Sequence, residues 1–167
     1  MPTSMHAACI PTITRALNNL IGVLEKGAAH AEAKKIDPSV LINSRLYPDM
    51  FALGKQVQVV SDIARGGISR LAQVESPKYE DNETTFPELI ERLRKTIAYL
   101  ESLKPEQIDG SETRTISWTA MGNDFSMPGQ QYLFNRVFGN VFFHCATAYN
   151  ILRHNGVEIG KLDFLGR

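Results

Sequence analysis

Four long stretches of this chain carry apolar residues at steps of three and four, and this spacing constrains the fold more than any other feature. It is the period of an amphipathic helix, which buries one stripe of side chains and leaves the opposite face polar. The stretches run from about 4 to 33, 48 to 73, 85 to 104 and 129 to 154. Four such helices bury their stripes best against one another. The sequence therefore predicts an all-α four-helix bundle, with residues 1–167 as a single domain.

Local signals mark where these helices start, stop and pack. Thr85 followed by Glu88 matches a capping box, which starts the third helix, and Asn155-Gly156 is a typical stop for the fourth. Asp37-Pro38 predicts a short helical turn after the first helix. Gly66-Gly67 lies inside the second helix, although each glycine costs roughly 1 kcal/mol relative to alanine. The pair therefore indicates close packing or a bend.

Between the third and fourth helices the period changes to that of strands. Residues 115–119 and 124–127 predict two short strands joined by a turn at Gly122-Asn123. A lone hairpin is only marginally stable in water. We therefore expect this small β-hairpin to pack on the bundle through one or more of its apolar side chains: Ile116, Trp118 or Phe125.

The overall composition excludes several classes of protein. Lysine plus arginine and aspartate plus glutamate number 18 each, so there is no strongly basic field and we expect no nucleic-acid partner. The longest uninterrupted apolar runs fall far short of the roughly 20 residues that span a bilayer, so we expect no membrane segment. Cys9 and Cys145 lie far apart without metal-type spacing, which favours reduced thiols in a cytoplasmic protein.

Several segments together resemble a known family. They are LYPDMF at 46–51, QVQ at 56–58, the helix start at 85–88, the run from His144 to Val157, and GKLDFLG at 160–166. They are similar to the family called domain of unknown function 1993, in the DinB-like superfamily of four-helix bundles. The resemblance implies an antiparallel bundle that is frequently a homodimer. It covers nearly the whole chain and says little about activity.

The superfamily resemblance also implies a metal site, from which this chain departs. Members often bind a divalent metal through one histidine of the second helix and two histidines four residues apart on the last helix, and some are thiol-dependent transferases or isomerases. His144 matches one position, but Asn140 and Ala148 stand four residues to either side, and the second helix has no histidine. We therefore expect the metal triad to be lost, with no metal and no cofactor.

The other histidines and Cys145 do not restore such a site. His154 lies ten residues beyond His144, roughly 15 Å along a helix, so it cannot share an ion and is expected to cap the helix end. His6 could face inward if the first helix begins early, whereas His30 is expected in solvent. Cys145 follows His144 directly, and adjacent helical residues do not face each other. A packed thiol is the simpler interpretation.

Two hypotheses of function remain. The first is a small-molecule-binding protein with a bundle-core pocket walled by Tyr47, Trp118, Phe138 and Tyr149, with polar contacts from His144, Gln56 and Asn140. The alternative is a metal-dependent transferase or hydrolase with a degenerate site that uses His144 and Asp49. Phe142 and Phe143 flank the apolar stripe, where a neighbouring helix or a second subunit could cover them.

Overall fold

Helices make up most of this computed structural model, which describes residues 3–166. The helices are α1 (Met5–Lys34), α2 (Pro38–Ile42), α3 (Leu53–Ala72), α4 (Phe86–Ser102), α5 (Pro105–Ile108), α6 (Gly129–Gln131), α7 (Gly139–His154) and α8 (Lys161–Leu165). A π-helical segment, Tyr132–Phe138, joins α6 to α7. Two strands, β1 (Thr115–Ala120) and β2 (Asn123–Pro128), form an antiparallel hairpin.

The predicted four-helix bundle with a small hairpin is confirmed. Both α1 and α3 pack against α4 and against α7, so α1 and α3 lie diagonally opposite each other. Gln56 near the start of α3 bonds to His144 of α7, and Gly67 near the end of α3 lies against Val137 of the π segment. This makes α3 antiparallel to the last long helix, which consists of the π segment and α7 and is called the last helix below. Leucine, isoleucine and valine side chains from all four long helices fill one shared core.

The capping box at the start of α4 is present as predicted. The Thr85 hydroxyl accepts the Glu88 backbone N–H, and the Glu88 carboxylate accepts the N–H groups of Thr84 and Thr85. These bonds hold the pKa of Glu88 below its ordinary value. The capping box thereby satisfies the N–H groups of Thr85 and Glu88 at the N-terminus of the helix.

The prediction that the second long helix starts at Pro48 is wrong, because α3 begins only at Leu53. The Met50 N–H donates to the Tyr47 carbonyl in a turn, and the Leu53 N–H reaches back to the Ser44 carbonyl. These amides are therefore committed to the loop before the helix begins. The consequence is that residues 47–51 form a loop beside the bundle.

The glycine pair in α3 reflects close packing. A Cβ on Gly67 would lie 2.8 Å from Cγ2 of Val137, whereas a Cβ on Gly66 would meet only the flexible tip of Arg70 at 3.4 Å. Val137 is β-branched and stiff about χ1, so it cannot easily move aside. Gly67 therefore lets the last helix approach α3 closely.

The last helix is not the continuous α-helix that the period predicts, because residues 132–138 are π-helical. A π turn pairs residues five apart and is wider than an α turn. The side-chain amide of Asn140 donates to the Arg136 carbonyl at 2.6 Å, where π geometry returns to α. This segment lies directly against Gly67.

The hairpin packs on the bundle through Trp118 and Ile116. Trp118 stacks on Phe125 of the opposite strand and lies against the Tyr132 ring, with centroids 5.1 Å apart. Ile116 is buried. The turn lies one residue earlier than predicted: Met121 and Gly122 connect the strands, both with positive φ. Two positive φ angles are those of a type I′ turn, which matches the twist of paired strands.

One helix, α1, is long and apolar enough to cross a membrane by length and composition, although half of its most apolar window is buried inside the fold. Its apolar stripe packs in the core against α4 and α7. The closing helix α8 lies along it, since Asn19 donates to the Phe164 carbonyl and Lys26 pairs with Asp163 at 2.7 Å. These contacts describe the core helix of a globular bundle.

Candidate functional site

The clearest candidate site is a buried hydrogen-bonded pair between α3 and α7. Nδ1 of His144 lies 2.7 Å from Oε1 of Gln56. Only 8% of His144 and 2% of Gln56 are exposed. The antiparallel packing of the two helices brings these side chains together although they are 88 residues apart in the chain.

The hydrogen bonds around Gln56 determine which imidazole nitrogen carries the proton. Nε2 of Gln56 donates to the Phe51 carbonyl at 3.0 Å, and a carbonyl can only accept. The amide oxygen therefore faces His144, so Nδ1 of His144 must be the donor. Nε2 of a neutral imidazole then keeps its lone pair, and it has no hydrogen-bond partner among the residues described.

Burial keeps this imidazole neutral. Desolvation lowers the pKa of His144 below its ordinary value of 6.5, because removal of water disfavours the charged form. A neutral imidazole with Nδ1–H bonded to Gln56 is a hydrogen-bond acceptor at Nε2, and it is also the form that could accept a proton or bind a metal. The geometry thus presents one oriented acceptor.

His144 opens onto a small cleft of about 210 Å³. The loop before α3 forms one side of it and α7 forms the other; the lining residues are Asp49, Met50, Phe51, Gln56, Phe143 and His144. Phe51 and Phe143 are about half exposed, and the Phe143 ring meets the His144 ring edge-on at 5.1 Å. Apolar walls therefore surround a neutral imidazole, with one exposed carboxylate, Asp49, at the rim.

Three of the aromatic residues predicted to wall the pocket lie elsewhere. Tyr47 is 65% exposed in the loop and does not line the cleft. Tyr149 packs on Phe164 of α8, because a residue five positions after His144 points about 140° away from it on a helix. Trp118 lies beyond the π segment with the hairpin. The predicted pocket is therefore not formed by these three residues.

Asn140 and Phe138 are likewise occupied away from His144. The Asn140 amide bonds to the backbone of its own helix, as described above. Phe138 lies in a row of rings on the last helix, with centroid distances of 5.5 Å to Phe134 and 6.0 Å to Phe142. Of the predicted residues, the structure brings together His144 and Gln56, with Asp49 beside them. Any role of these three in binding remains a prediction.

The cleft contains residues that sequence analysis did not single out as site residues: Met50, Phe51 and Phe143. Phe51 matters most, because its carbonyl orients Gln56 and its ring lines the cleft. The only sequence signal for it was its place in the LYPDMF segment at 46–51. A backbone carbonyl that orients a side chain has no signature in sequence.

The residues present do not fit the metal site that the superfamily resemblance implies. Over residues 3–166, no three histidine, cysteine, aspartate or glutamate side chains are grouped so that they could hold an ion. Beside His144, the oxygen of Gln56 already accepts from the imidazole, and glutamine is a poor zinc ligand. His6 does face inward, but it lies 3.1 Å from the Leu103 carbonyl through Nε2 and serves the packing of α1.

The two cysteines offer no nucleophile at this site. Cys9 and Cys145 are free and buried. Burial raises the pKa of each thiol to about 12, so both remain protonated at neutral pH. Cys145 is therefore a packing residue, as its place on the apolar stripe predicts.

The fold and the histidine-bearing last helix define a DinB-like helical bundle. The chain belongs to the family described as Domain of unknown function (DUF1993), whose family model matches residues 5–165. It is also similar to a solved structure, that of a DinB family member protein from Shewanella denitrificans, with 38% sequence identity and a TM-score of 0.87. That match covers 97% of this chain and 92% of the other. No curated protein matches the sequence.

Proposed function

We propose that this protein binds a small molecule whose hydrogen-bond donor docks on Nε2 of His144. The observation that carries the proposal is the fixed tautomer: Gln56 holds Nδ1 as a donor and leaves Nε2 without a partner among the described residues. Nε2 is not one of the fully enclosed polar atoms that lack a partner in the described residues, so it faces the cleft. A ligand donor there would form a hydrogen bond worth about 1 kcal/mol net.

The cleft indicates which part of a ligand it takes. Its volume of about 210 Å³ is below the roughly 300–1,000 Å³ typical of sites that enclose a whole drug-sized ligand. Its walls are mainly the apolar side chains of Met50, Phe51 and Phe143. It therefore suits a compact apolar group that carries a hydroxyl, thiol or amine, with no cofactor required.

A pair of matched probes tests this proposal. Phenol offers an apolar ring with a hydroxyl donor, whereas anisole is the same ring with that donor methylated. Phenol is expected to shift the backbone amide resonances of Phe143, His144 and Gln56 in a saturable way, and anisole is expected to bind at least several-fold more weakly, because one hydrogen bond is worth about 1 kcal/mol.

The variant His144→Asn sharpens the test. The asparagine amide can still donate to Gln56 in place of Nδ1, but it has no atom equivalent to Nε2. Phenol binding should fall to the level of anisole in this variant. Unchanged phenol binding in His144→Asn, or equal binding of the two probes in the native protein, would contradict the proposal.

The alternative, a metal-dependent transferase or hydrolase, is favoured only by the presence of His144 and Asp49 in one cleft. Elemental analysis of protein purified without a metal-affinity tag distinguishes the two functions. Near-stoichiometric zinc, nickel or iron that is lost in His144→Ala would overturn the ligand-binding proposal. We expect no such metal, because the donors around His144 do not make a three-ligand set.

We further propose a cytoplasmic homodimer. Free buried thiols support a reducing compartment. Phe134, Phe142 and Phe143 are each 40–57% exposed on the last helix, and burial of such rings between two copies would be favourable. Sedimentation velocity checks this, and a monomer at micromolar concentration would contradict it.

A further inference from the structure

A second cleft lies between α3 and the π segment, beside the hairpin and at the opposite end of α3 from the His144 cleft. It measures about 220 Å³, and the residues that give it its chemistry are Asp62, Arg70, Trp118, Thr119, Tyr132 and Arg136. Trp118 closes one side, with Arg136 5.8 Å from its ring centroid. This cleft shares no lining residue with the His144 cleft.

Its two arginines have no carboxylate partner among residues 3–166. Nη1 of Arg70 donates to the Gly66 carbonyl and to the Tyr132 hydroxyl at 3.4 Å, both neutral groups. Arg136 contacts the Trp118 ring, and no ion pair to its guanidinium is formed with the described part of the chain. Each guanidinium therefore keeps donors available.

The one carboxylate that lines the cleft is already neutralised. The same oxygen of Asp62 lies 2.7 Å from Arg65 and 2.7 Å from Arg92. Arg92 also pairs with Asp81 and Glu83, and Lys55 pairs with Asp81. Three cations thus balance three carboxylates in this cluster, and the positive charge of the cleft comes from Arg70 and Arg136. The local charge of the cleft is positive, although the whole chain is neutral, and this difference favours an anionic ligand.

The π segment helps to build this cleft. Tyr132 and Arg136 both belong to it, and the carbonyl of Arg136 is held by the Asn140 amide at 2.6 Å. Gly67 lets the segment approach α3, which carries Arg70. Rare π turns of this kind occur frequently at functional sites. The backbone of Arg136 is therefore fixed by the Asn140 hydrogen bond, and that of Arg70 by α3.

We propose that this cleft binds the phosphate group of inorganic phosphate or of a small phosphomonoester. Two guanidinium forks that approach from different helices suit a tetrahedral oxyanion, whereas one carboxylate is satisfied by a single fork. The volume of about 220 Å³ admits a phosphate with a short substituent and is too small to enclose an intact nucleotide. This site is independent of the His144 ligand.

Trp118 is the only tryptophan in the chain, so intrinsic fluorescence reports on this cleft directly. Titration with inorganic phosphate, and separately with glycerol 1-phosphate, at constant ionic strength should change the fluorescence in a saturable way. The variants Arg70→Gln and Arg136→Gln should each raise the Kd roughly tenfold, as expected for loss of a charge-assisted hydrogen bond. The double variant should show no saturable binding.

Three controls make the result specific. Arg153→Gln removes one positive charge at an exposed position on α7 and should bind phosphate as the native protein does. Arg136→Lys keeps the charge but loses the fork, so its Kd should lie between those of native protein and Arg136→Gln. Because Arg136 contacts Trp118, equilibrium dialysis with radiolabelled phosphate provides a readout that does not depend on the fluorophore.

The proposal is overturned if neither phosphate compound binds saturably, if succinate binds as tightly as they do, or if Arg153→Gln weakens binding as much as Arg136→Gln. Circular dichroism confirms that each variant is folded. Phosphate binding should be unchanged in His144→Asn. A failure of the native protein to bind phosphate would therefore leave the function proposed for the His144 cleft untouched.

Discussion

Two buried polar clusters each include residues of α3, and they differ in charge and in how their hydrogen-bonding groups are paired. Gln56 and His144 form one neutral hydrogen bond between helices and leave Nε2 of the imidazole without a partner among the described residues. Arg92 is charged and buried, and its two terminal nitrogens together contact the Glu80 carbonyl and carboxylate oxygens of Asp62, Asp81 and Glu83. The first cluster leaves one acceptor open to a cleft. The second leaves no acceptor open, and among the described residues three of its buried donors, Nε of Arg92 and Nε and Nη1 of Arg65, have no hydrogen-bond partner.

The difference follows from the cost of burying charge. A buried cation is tolerated when it is paired and hydrogen-bonded on most sides. Arg65 meets that need partly through Tyr79, whose ring centre lies 4.0 Å from the guanidinium carbon. A neutral imidazole needs fewer partners, so one nitrogen can face a cleft. The charged cluster therefore ties the loop before α4 to the bundle, while the neutral pair can act as a binding site.

The largest effect is expected when the charged cluster is broken. Arg92→Met leaves three carboxylates without their shared cation and should lower the free energy of unfolding by about 2–4 kcal/mol, because loss of one partner from a buried ion pair is strongly destabilising. Urea unfolding measures this loss.

Arg94→Met is the matched control for Arg92→Met. Arg94 is 58% exposed, and its nearest carboxylate oxygen, on Glu25, is 3.5 Å away. Its replacement should change stability by less than about 0.5 kcal/mol. A similar loss in the two variants would mean that Arg92 has no special structural role.

Breaking the neutral pair should have an intermediate effect. Gln56→Leu leaves the Nδ1–H of His144 buried without its acceptor and should cost about 1–2 kcal/mol. The double variant Gln56→Leu with His144→Leu removes both polar groups, so it should be less destabilised than the sum of the two single variants. Additive losses in urea unfolding would show that the two side chains do not interact.

The smallest expected effect is on the pH dependence of stability, which differs between the two clusters. The folded-state pKa of His144 is lowered by burial, so stability should be lost as pH falls below about 6.5 and through the lower folded-state pKa. The pKa of Asp81 is lowered mainly by its hydrogen bond from Lys55, so its contribution should be lost only as pH falls below 3.8.

Unfolding curves across pH test these two windows. His144→Asn should remove the loss just below pH 6.5 and leave the acid loss in place, whereas Asp81→Asn should reduce only the acid loss. A pH profile that is unchanged in His144→Asn would show that this imidazole is not the group that titrates.

Much of the fold was predictable because helical period and capping are local properties. The bundle, the capping box at Thr85 and the hairpin are all as expected. The predicted start of α3 was wrong because the preceding loop is held by backbone hydrogen bonds to the carbonyls of Ser44 and Tyr47. No side-chain pattern in the sequence indicates these bonds. The π segment was missed because it is built from the same residue types as an α-helix.

The site was harder to predict than the fold. His144 and Gln56 were both named, but their contact depends on how α3 and α7 align, which helical angles within one helix cannot give. Trp118 and Tyr149 were assigned to the same pocket on the basis of side-chain type, and they pack against different neighbours. The proposed phosphate cleft escaped sequence analysis because its two arginines come from separate elements.

The π segment also affects how related sequences should be aligned. A π turn holds more residues than an α turn, so Tyr132–Phe138 carries roughly one residue more than regular α geometry requires. Deletion of one residue there would restore an α-helix without rotating α7, and His144 would still meet Gln56. A deletion that follows Arg136, however, would rotate Arg136 by about 100° relative to α7 and α3. A single-residue gap at this point would therefore mark relatives that keep the imidazole cleft and have lost the arginine cleft.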